Sequence, residues 1–228
     1  TVTQGSESDT LAGAFEYTVA SASYTDAILA DSPVAYWKLE EASGPFFDEV
    51  TTNDFTESGS FNTGLAGIDG NAISPTSTAD FLTSSPVDWV SAFTIECWMK
   101  IPSGVFVYVG VGDSSNGMDI MSNKFGVAGV YVLVNDGSNH FSLGSATDDG
   151  AWHHYVAAFD GSVATFYVDG AEFDQTDPAS PTATADTLTV NRTRWNASVS
   201  AGYEVDEIAV YDKVLTAAQV ADHFNARP

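Results

Sequence analysis

Two Asp-Gly pairs, Asp160-Gly161 and Asp169-Gly170, cut residues 149–176 into three short apolar and aromatic runs. Asp-Gly between such runs is a strong hairpin signal, because a type I′ turn needs φ > 0 at both central residues. The spacing predicts three consecutive antiparallel strands, 152–159, 163–168 and 171–176. In the middle run Ala164, Phe166 and Val168 share one face, while Thr165, Tyr167 and Asp169 take the other. A strand of that kind belongs to one layer of a two-sheet fold.

Similar runs recur along the chain. Phe93, Ile95, Cys97, Met99 and Ile101 fall in one phase, with Thr94, Glu96, Trp98 and Lys100 in the other, which predicts a strand over 93–101. Residues 105–111 are apolar throughout, as in a strand covered on both faces. Further strands are expected at 34–39, 79–82, 118–121, 126–134, 141–143, 187–191 and 203–211, with turns at Asn116-Gly117 and Asp136-Gly137. Residues 40–67 carry Gly44-Pro45, Asp48 and Asn53-Asp54 and read as one long, irregular, acidic connection. A short helix is expected at 24–31, with Thr25 as N-cap and Ser32-Pro33 ending it. Thr216-Ala217-Ala218-Gln219 is a capping box that starts a second short helix, with Val220 and Phe224 on one edge. About a dozen short strands and two short helices imply an all-β fold, an antiparallel two-sheet jelly-roll sandwich with a short helix near each end.

The 228 residues, 44% hydrophobic and 12% aromatic, suffice for one sandwich core. One domain over 24–228, preceded by an arm or linker over 1–23, is the expected organisation. The arm is rich in Thr, Ser, Ala and Gly, and 14–19 alternate as a strand does. It either docks on a partner by adding a strand there or serves as a tether or a strand of its own domain. Thr1 at the start fits loss of an initiator Met or cleavage of a leader. No run approaches the ~18 apolar residues of a membrane span. Seven basic and 31 acidic residues give a net charge of −24. That argues against nucleic acid, whose phosphates need Lys and Arg, and against anionic lipid. The acids are dispersed, and molar salt, with a Debye length of ~3 Å, screens their repulsion. A halophilic setting is therefore expected, beside the plainer reading of an acidic extracellular-type surface. The one cysteine, Cys97, shares the apolar phase of its strand and is expected to be buried.

Three blocks carry a resemblance. They are residues 93–100 (FTIECWMK), residues 149–156 (DGAWHHYV) continuing through Val168-Asp169-Gly170, and residues 205–211 (VDEIAVY) leading to the helix start at Leu215-Thr216. In this order and spacing they resemble the laminin-G-like, concanavalin-A-like lectin/glucanase jelly rolls. Residues 31–39 (DSPVAYWKL) are similar to the start of such domains in phage tail and other virion proteins and in bacterial surface proteins. The resemblance runs from 24 to the C-terminus. It implies the sandwich and leaves open lectins, glucanases, adhesion modules and structural decorations.

The glucanase branch places three carboxylates at i, i+2 and i+4 of one strand, all pointing into one cleft. The nearest match is Glu204-Val205-Asp206-Glu207-Ile208. Glu204 and Asp206 share a face, Glu207 points the other way and Ile208 holds the third position, so no such enzyme activity is expected. Asp206 shares a phase with Ile208 and Val210 and is expected to face inward, where an ionised carboxylate must be hydrogen-bonded or metal-bound. The resemblance implies Ca²⁺ near the sheet rim, and the matching positions are Asp48, Asn53, Asp54 and Asp206. Such oxygens suit calcium, although Phe47-Asp48-Glu49-Val50 departs from the family's Asp-Ser-Ser-Gly loop. The other reading has Asp206 accepting backbone amides from the long loop.

His153 and His154 are adjacent in a strand, point to opposite faces and cannot form a two-His metal site. Arg192, Arg194, Trp195 and Asn196 cluster in a polar loop. A Trp beside polar donors is a sugar-stacking patch; the other reading has Trp195 capping the core and the arginines pairing with surface acids. Asn191 and Asn196 each head a glycosylation acceptor triplet. Charge and resemblance together imply a non-catalytic accessory protein on a virion surface, a capsid decoration or tail component. Its arm docks onto other virion proteins in an oligomeric assembly, and its jelly roll binds cell-surface glycans. A secreted or cell-surface adhesion module is the alternative, and a glycoside hydrolase fits least.

Overall fold

The structure, a computed structural model, describes residues 23–88, 92–113, 116–124, 126–136, 140–176, 185–193 and 199–228. The arm expected over 1–23 lies outside these residues apart from Ser23. Helix α1 (Tyr24–Ala30) is followed by β1 (Ala35–Trp37), β2 (Thr56–Ser58), β3 (Phe61–Ala66), β4 (Asn71–Pro75) and β5 (Phe81–Asp88). Then come β6 (Phe93–Lys100), β7 (Tyr108–Gly112), β8 (Asn116–Ser122), β9 (Val130–Asp136) and β10 (His140–Ala146). The chain continues through β11 (Trp152–Phe159), β12 (Ala164–Val168), β13 (Ala171–Thr176), β14 (Ala185–Val190), β15 (Glu204–Tyr211) and helix α2 (Ala217–Asn225). One sheet has the order β13-β12-β11-β6-β15-β4-β3, with β1 also paired to β15; the other has the order β10-β9-β8-β7-β14-β5-β2. Neighbouring strands pair antiparallel. The two sheets enclose one core, which is the two-sheet jelly-roll sandwich that the alternation predicts.

Strand β6 shows how the layers are built. Ile95, Cys97 and Met99 enter the core between the sheets, and Trp98 faces the other side. Each fully buried large apolar side chain contributes about 1.5–3 kcal/mol. Cys97 is fully buried, and desolvation pushes its thiol far above the usual range. In β12, Ala164 and Phe166 enter the core while Tyr167 takes the opposite face.

The two Asp-Gly pairs form different turns. Asp169 and Gly170 have φ of 53° and 78°, the pair of positive values that a type I′ turn requires. At the other pair Gly161 has φ of 96°, and Asp160 is not in the left-handed region. There the Asp160 carboxylate accepts the Ser162 and Val163 amides at 2.8 and 2.6 Å. That longer loop delays β12 to Ala164.

Residues 40–67 are not one irregular connection, because β2 and β3 lie within them. β3 alternates between half-buried and exposed positions, too weak a contrast to read as a strand. β4 completes its hairpin. β5 is longer than 79–82 and runs through Pro86. Asn116-Gly117 opens β8 rather than forming a turn; Asp136 ends β9, and Gly137 lies outside the described residues. The N-cap of α1 is Ser23, not Thr25: the Ser23 hydroxyl accepts the Asp26 amide at 3.1 Å, and the Asp26 carboxylate accepts the Ser23 amide at 3.2 Å. The Thr216–Gln219 box caps α2 as expected.

Both helices cover the outer face of the first sheet. Tyr24 and Ile28 of α1 and Val220 of α2 pack with Trp98, Val156, Ala158, Ala209 and Tyr211. Among the described residues no helix is long and apolar enough to cross a membrane. β15 carries a bulge under this cover. Asp206 pairs with Trp98 and Ala209 with Glu96, so Glu207 and Ile208 together oppose Cys97. Glu207 takes φ of 53°. The extra residue resets the alternation: Val205, Ile208 and Val210 enter the core, while Ala209 and Tyr211 face the helices. Asp206, opposite Trp98, therefore lies on the helix side and not, as its phase with Ile208 predicts, on the inner one.

Candidate functional site

One side chain fixes the loop between β1 and β2. Asp48 is buried. Its Oδ1 accepts the Tyr36 and Val50 amides at 2.9 and 3.0 Å, and its Oδ2 accepts the Thr51 amide at 3.1 Å and the Thr51 hydroxyl. Asp54 accepts the Asp48 amide at 3.0 Å, and Trp37 Nε1 donates to the Asn53 carbonyl at 2.9 Å. The loop so held forms one wall of an open cleft of about 550 Å³. Ser85, Pro86 and Val87 of β5 form the facing wall, and Val34 and Asp212 close the end. Val34 immediately precedes β1 and Asp212 immediately follows β15, so the cleft lies at the rim where strand ends of both sheets meet. Thr51, Thr52, Asn53, Ser85 and Asp212 bring polar groups to it. Asn53 Oδ1 is buried and has no hydrogen-bond partner.

The acids of β15 are enclosed elsewhere. Asp206 and Glu207 are both 0% exposed. Asp206 Oδ2 accepts the Ile68 amide at 2.7 Å, and Tyr36 donates its hydroxyl to Glu207 Oε2. Burial pushes Asp206 up to about 8 and Glu207 up to about 9, the latter helped by its neighbour's charge. Glu204 is only part-buried and pairs with Lys100 at 3.0 Å. Ile208 is in the core. The three positions of the glucanase pattern thus share no open groove.

Another buried acid, Glu96, carries no signal in the sequence. Glu96 is 0% exposed and lies on the helix-covered face. His154 Nε2 stands 2.7 Å from its Oε1, and His223 Nδ1 stands 3.0 Å from its Oε2. Tyr24 and Tyr211 donate hydroxyls to it at 3.1 Å each. His223 Nε2 reaches Asp31 Oδ2 at 3.0 Å, so this imidazole bridges two carboxylates. Burial alone would raise the Glu96 carboxyl; the hydrogen bonds from His154 and His223 outweigh it and hold the group far below the usual carboxylate range. Burial would lower His223, and the Glu96 and Asp31 carboxylates raise it instead. The arrangement ties α1, α2, β6, β11 and β15 to one point.

Asp48, Asn53 and Asp54 do come together, in the loop at the cleft, whereas Asp206 is bonded to the turn at Ile68. Among the described residues no three His, Cys, Asp or Glu side chains converge as a metal cage. The Asp48 oxygens already accept four donors. With those oxygens engaged and Asp206 held elsewhere, the four expected positions do not fit Ca²⁺, which takes six to eight oxygen ligands, water included.

Of the expected sugar patch, Arg194, Trp195 and Asn196 lie outside the described residues. Arg192 stacks its guanidinium 4.3 Å from the Phe81 ring centre, at the opposite end of β5 from Pro86. Asn191 Nδ2 donates to the Asp80 carbonyl at 2.6 Å. His153 and His154 point to opposite faces: His153 Nδ1 meets Asp169 at 2.8 Å, and His154 meets Glu96.

The family described as the concanavalin A-like lectin/glucanases superfamily, of laminin-G type, matches residues 75–221. No curated protein matches the chain. Among solved structures, one similar fold is domain 4 of AbnA, a GH43 extracellular arabinanase from Geobacillus stearothermophilus, in complex with arabinotriose. It is 14% identical with a TM-score of 0.69, over 84% of this chain and 97% of that one. The binding domain of Paraclostridial Mosquitocidal Protein 1 is 15% identical with a TM-score of 0.68, over 87% of this chain and 53% of that one. The binding domain of botulinum neurotoxin DC in complex with SialylT is 11% identical with a TM-score of 0.64, over 86% and 52%. The chain thus spans one such domain whole and about half of each toxin domain.

Proposed function

The chain belongs to the concanavalin A-like lectin/glucanases superfamily, and on that premise we propose that it is a non-catalytic carbohydrate-recognition module on the surface of a virus particle. The enclosure of Asp206 and Glu207 carries this reading. A glycosidase of this fold needs its carboxylates in an open groove with room for water and sugar. Here the strand that would bear them is covered at Asp206 by the turn at Ile68 and further along, at Ala209 and Tyr211, by α1 and α2, with Ile208 at the third position. Two neighbours of similar fold are seen in complex with arabinotriose and SialylT, which supports recognition of glycans.

The particle setting rests on the segment 31–39, similar to the start of virion domains, and on the 1–23 arm as the docking element. The extracellular arabinanase neighbour favours the second reading, a secreted or cell-surface adhesion module. Purified particles from the source culture separate the two. Copurification with particles that is lost on deleting residues 1–22, with glycan binding kept, fits the first. Full recovery in the particle-free fraction contradicts it.

A further inference from the structure

We propose that the rim cleft between the Asp48 loop and β5 is a glycan site, and that it takes a neutral oligosaccharide rather than an anionic one. This rests on the carbohydrate-recognition reading and adds a place and a ligand class to it. The cleft, about 550 Å³, falls within the roughly 300–1,000 Å³ of small-ligand sites. Its loop wall is held by the four bonds to Asp48 and by Trp37 on Asn53. A wall fixed before binding costs little ordering entropy when a ligand arrives.

The lining has the two chemistries a sugar ring presents. Pro86 and the 39%-exposed Val50 offer apolar surface for C–H faces. Thr52, Ser85 and Asn53 offer donors and acceptors for hydroxyls. Asn53 Oδ1 is buried without a partner, so a sugar hydroxyl reaches it only when the Asn53 side chain turns toward the cleft, and the cost of an unmet buried acceptor favours that turn.

Charge sets the class. Among the described residues the lining contains no basic side chain and includes the exposed residue Asp212. The chain as a whole carries −24. A sialylated, sulfated or uronic sugar would meet repulsion there, with no cation among the described lining residues to offset it. Arg192 is engaged with Phe81 at the far end of β5, and Lys213, which follows Asp212, is not among the lining residues.

The test is calorimetric titration of the full chain with arabinotriose, neutral hexose oligosaccharides and sialyllactose, on the native protein and on Asn53→Ala and Thr52→Trp. Asn53→Ala removes the unpartnered acceptor and breaks no side-chain hydrogen bond among the described residues; Thr52→Trp fills the cleft from an exposed position. Melting temperatures verify that both variants fold. The expected result is binding of a neutral oligosaccharide and none of sialyllactose, a two- to tenfold loss (roughly one hydrogen bond) in Asn53→Ala, and no binding by Thr52→Trp. Native-like affinity in Asn53→Ala together with a folded Thr52→Trp that still binds overturns the cleft and leaves carbohydrate recognition standing. Tighter binding of sialyllactose overturns the ligand class. No binding of any oligosaccharide by the native chain overturns carbohydrate recognition itself.

Discussion

Glu96 holds a charge at a fully buried position, surrounded by His154, His223, Tyr24 and Tyr211. Removing one partner of such a buried cluster leaves the others uncompensated, at a cost of about 3–5 kcal/mol. Glu96→Gln should lose that much in urea unfolding, while Glu172→Gln, at an exposed position of β13, should lose almost nothing. His223 adds a pH dependence of definite sign. Its folded-state value is raised, so its contribution is complete below about 6.5 and is lost as pH rises through the folded value. Glu96 is depressed, so its contribution is complete above about 4.3 and is lost as pH falls toward its folded value. The melting-temperature gap between native protein and His223→Gln should therefore narrow as pH rises above 6.5; a constant gap would contradict the bridge to Asp31 and Glu96. None of this was legible in the sequence. The alternation of β6 marks Glu96 only as opposite to the core phase, and its partners stand 58 and 127 residues away.

Elements were readable where their signals are local. β11 and β13 follow from alternation and Asp-Gly chemistry, and α2 from its capping box, because each signal sits within a few residues of what it decides. The bulge at Glu207 left no such trace: a Glu at φ of 53° is not a turn signal, and the shift it causes moved Asp206 to the other face. β3 was missed because its exposure contrast is slight, and the rim cleft because its walls come from loops and strand ends far apart in the chain. The Asp169-Gly170 turn is testable at the same scale. Gly170 and Gly150 have φ of 78° and 81°, but a Cβ on Gly170 would sit 2.8 Å from Phe224 Cβ, while one on Gly150 would meet nothing within 4 Å. Gly150→Ala should cost only the ~1–2 kcal/mol of left-handed backbone. Gly170→Ala should cost clearly more, because α2 must move; equal costs would mean that the hairpin does not support that helix. The Asp48 loop gives a further check. With its carboxylate already satisfied by amides, chelation should leave the melting temperature unchanged, and a fall on adding EDTA that calcium reverses would restore a metal to that loop.

At the scale of the whole molecule, charge and fold act separately. The sandwich is specified by buried apolar alternation, and the −24 is carried by dispersed acids outside that pattern. If that charge suits a saline setting, the melting temperature rises from dilute buffer to molar NaCl as repulsion is screened; a flat response would indicate an acidic surface with no such adaptation. The family fold supports recognition, and the closed strand β15 supports recognition without hydrolysis. The direct trial is to incubate the protein with neutral oligosaccharides and follow complex formation and reducing-end release in the same sample. Bound, uncleaved sugar is the predicted result. Steady release of reducing ends that disappears in Glu204→Gln would contradict it.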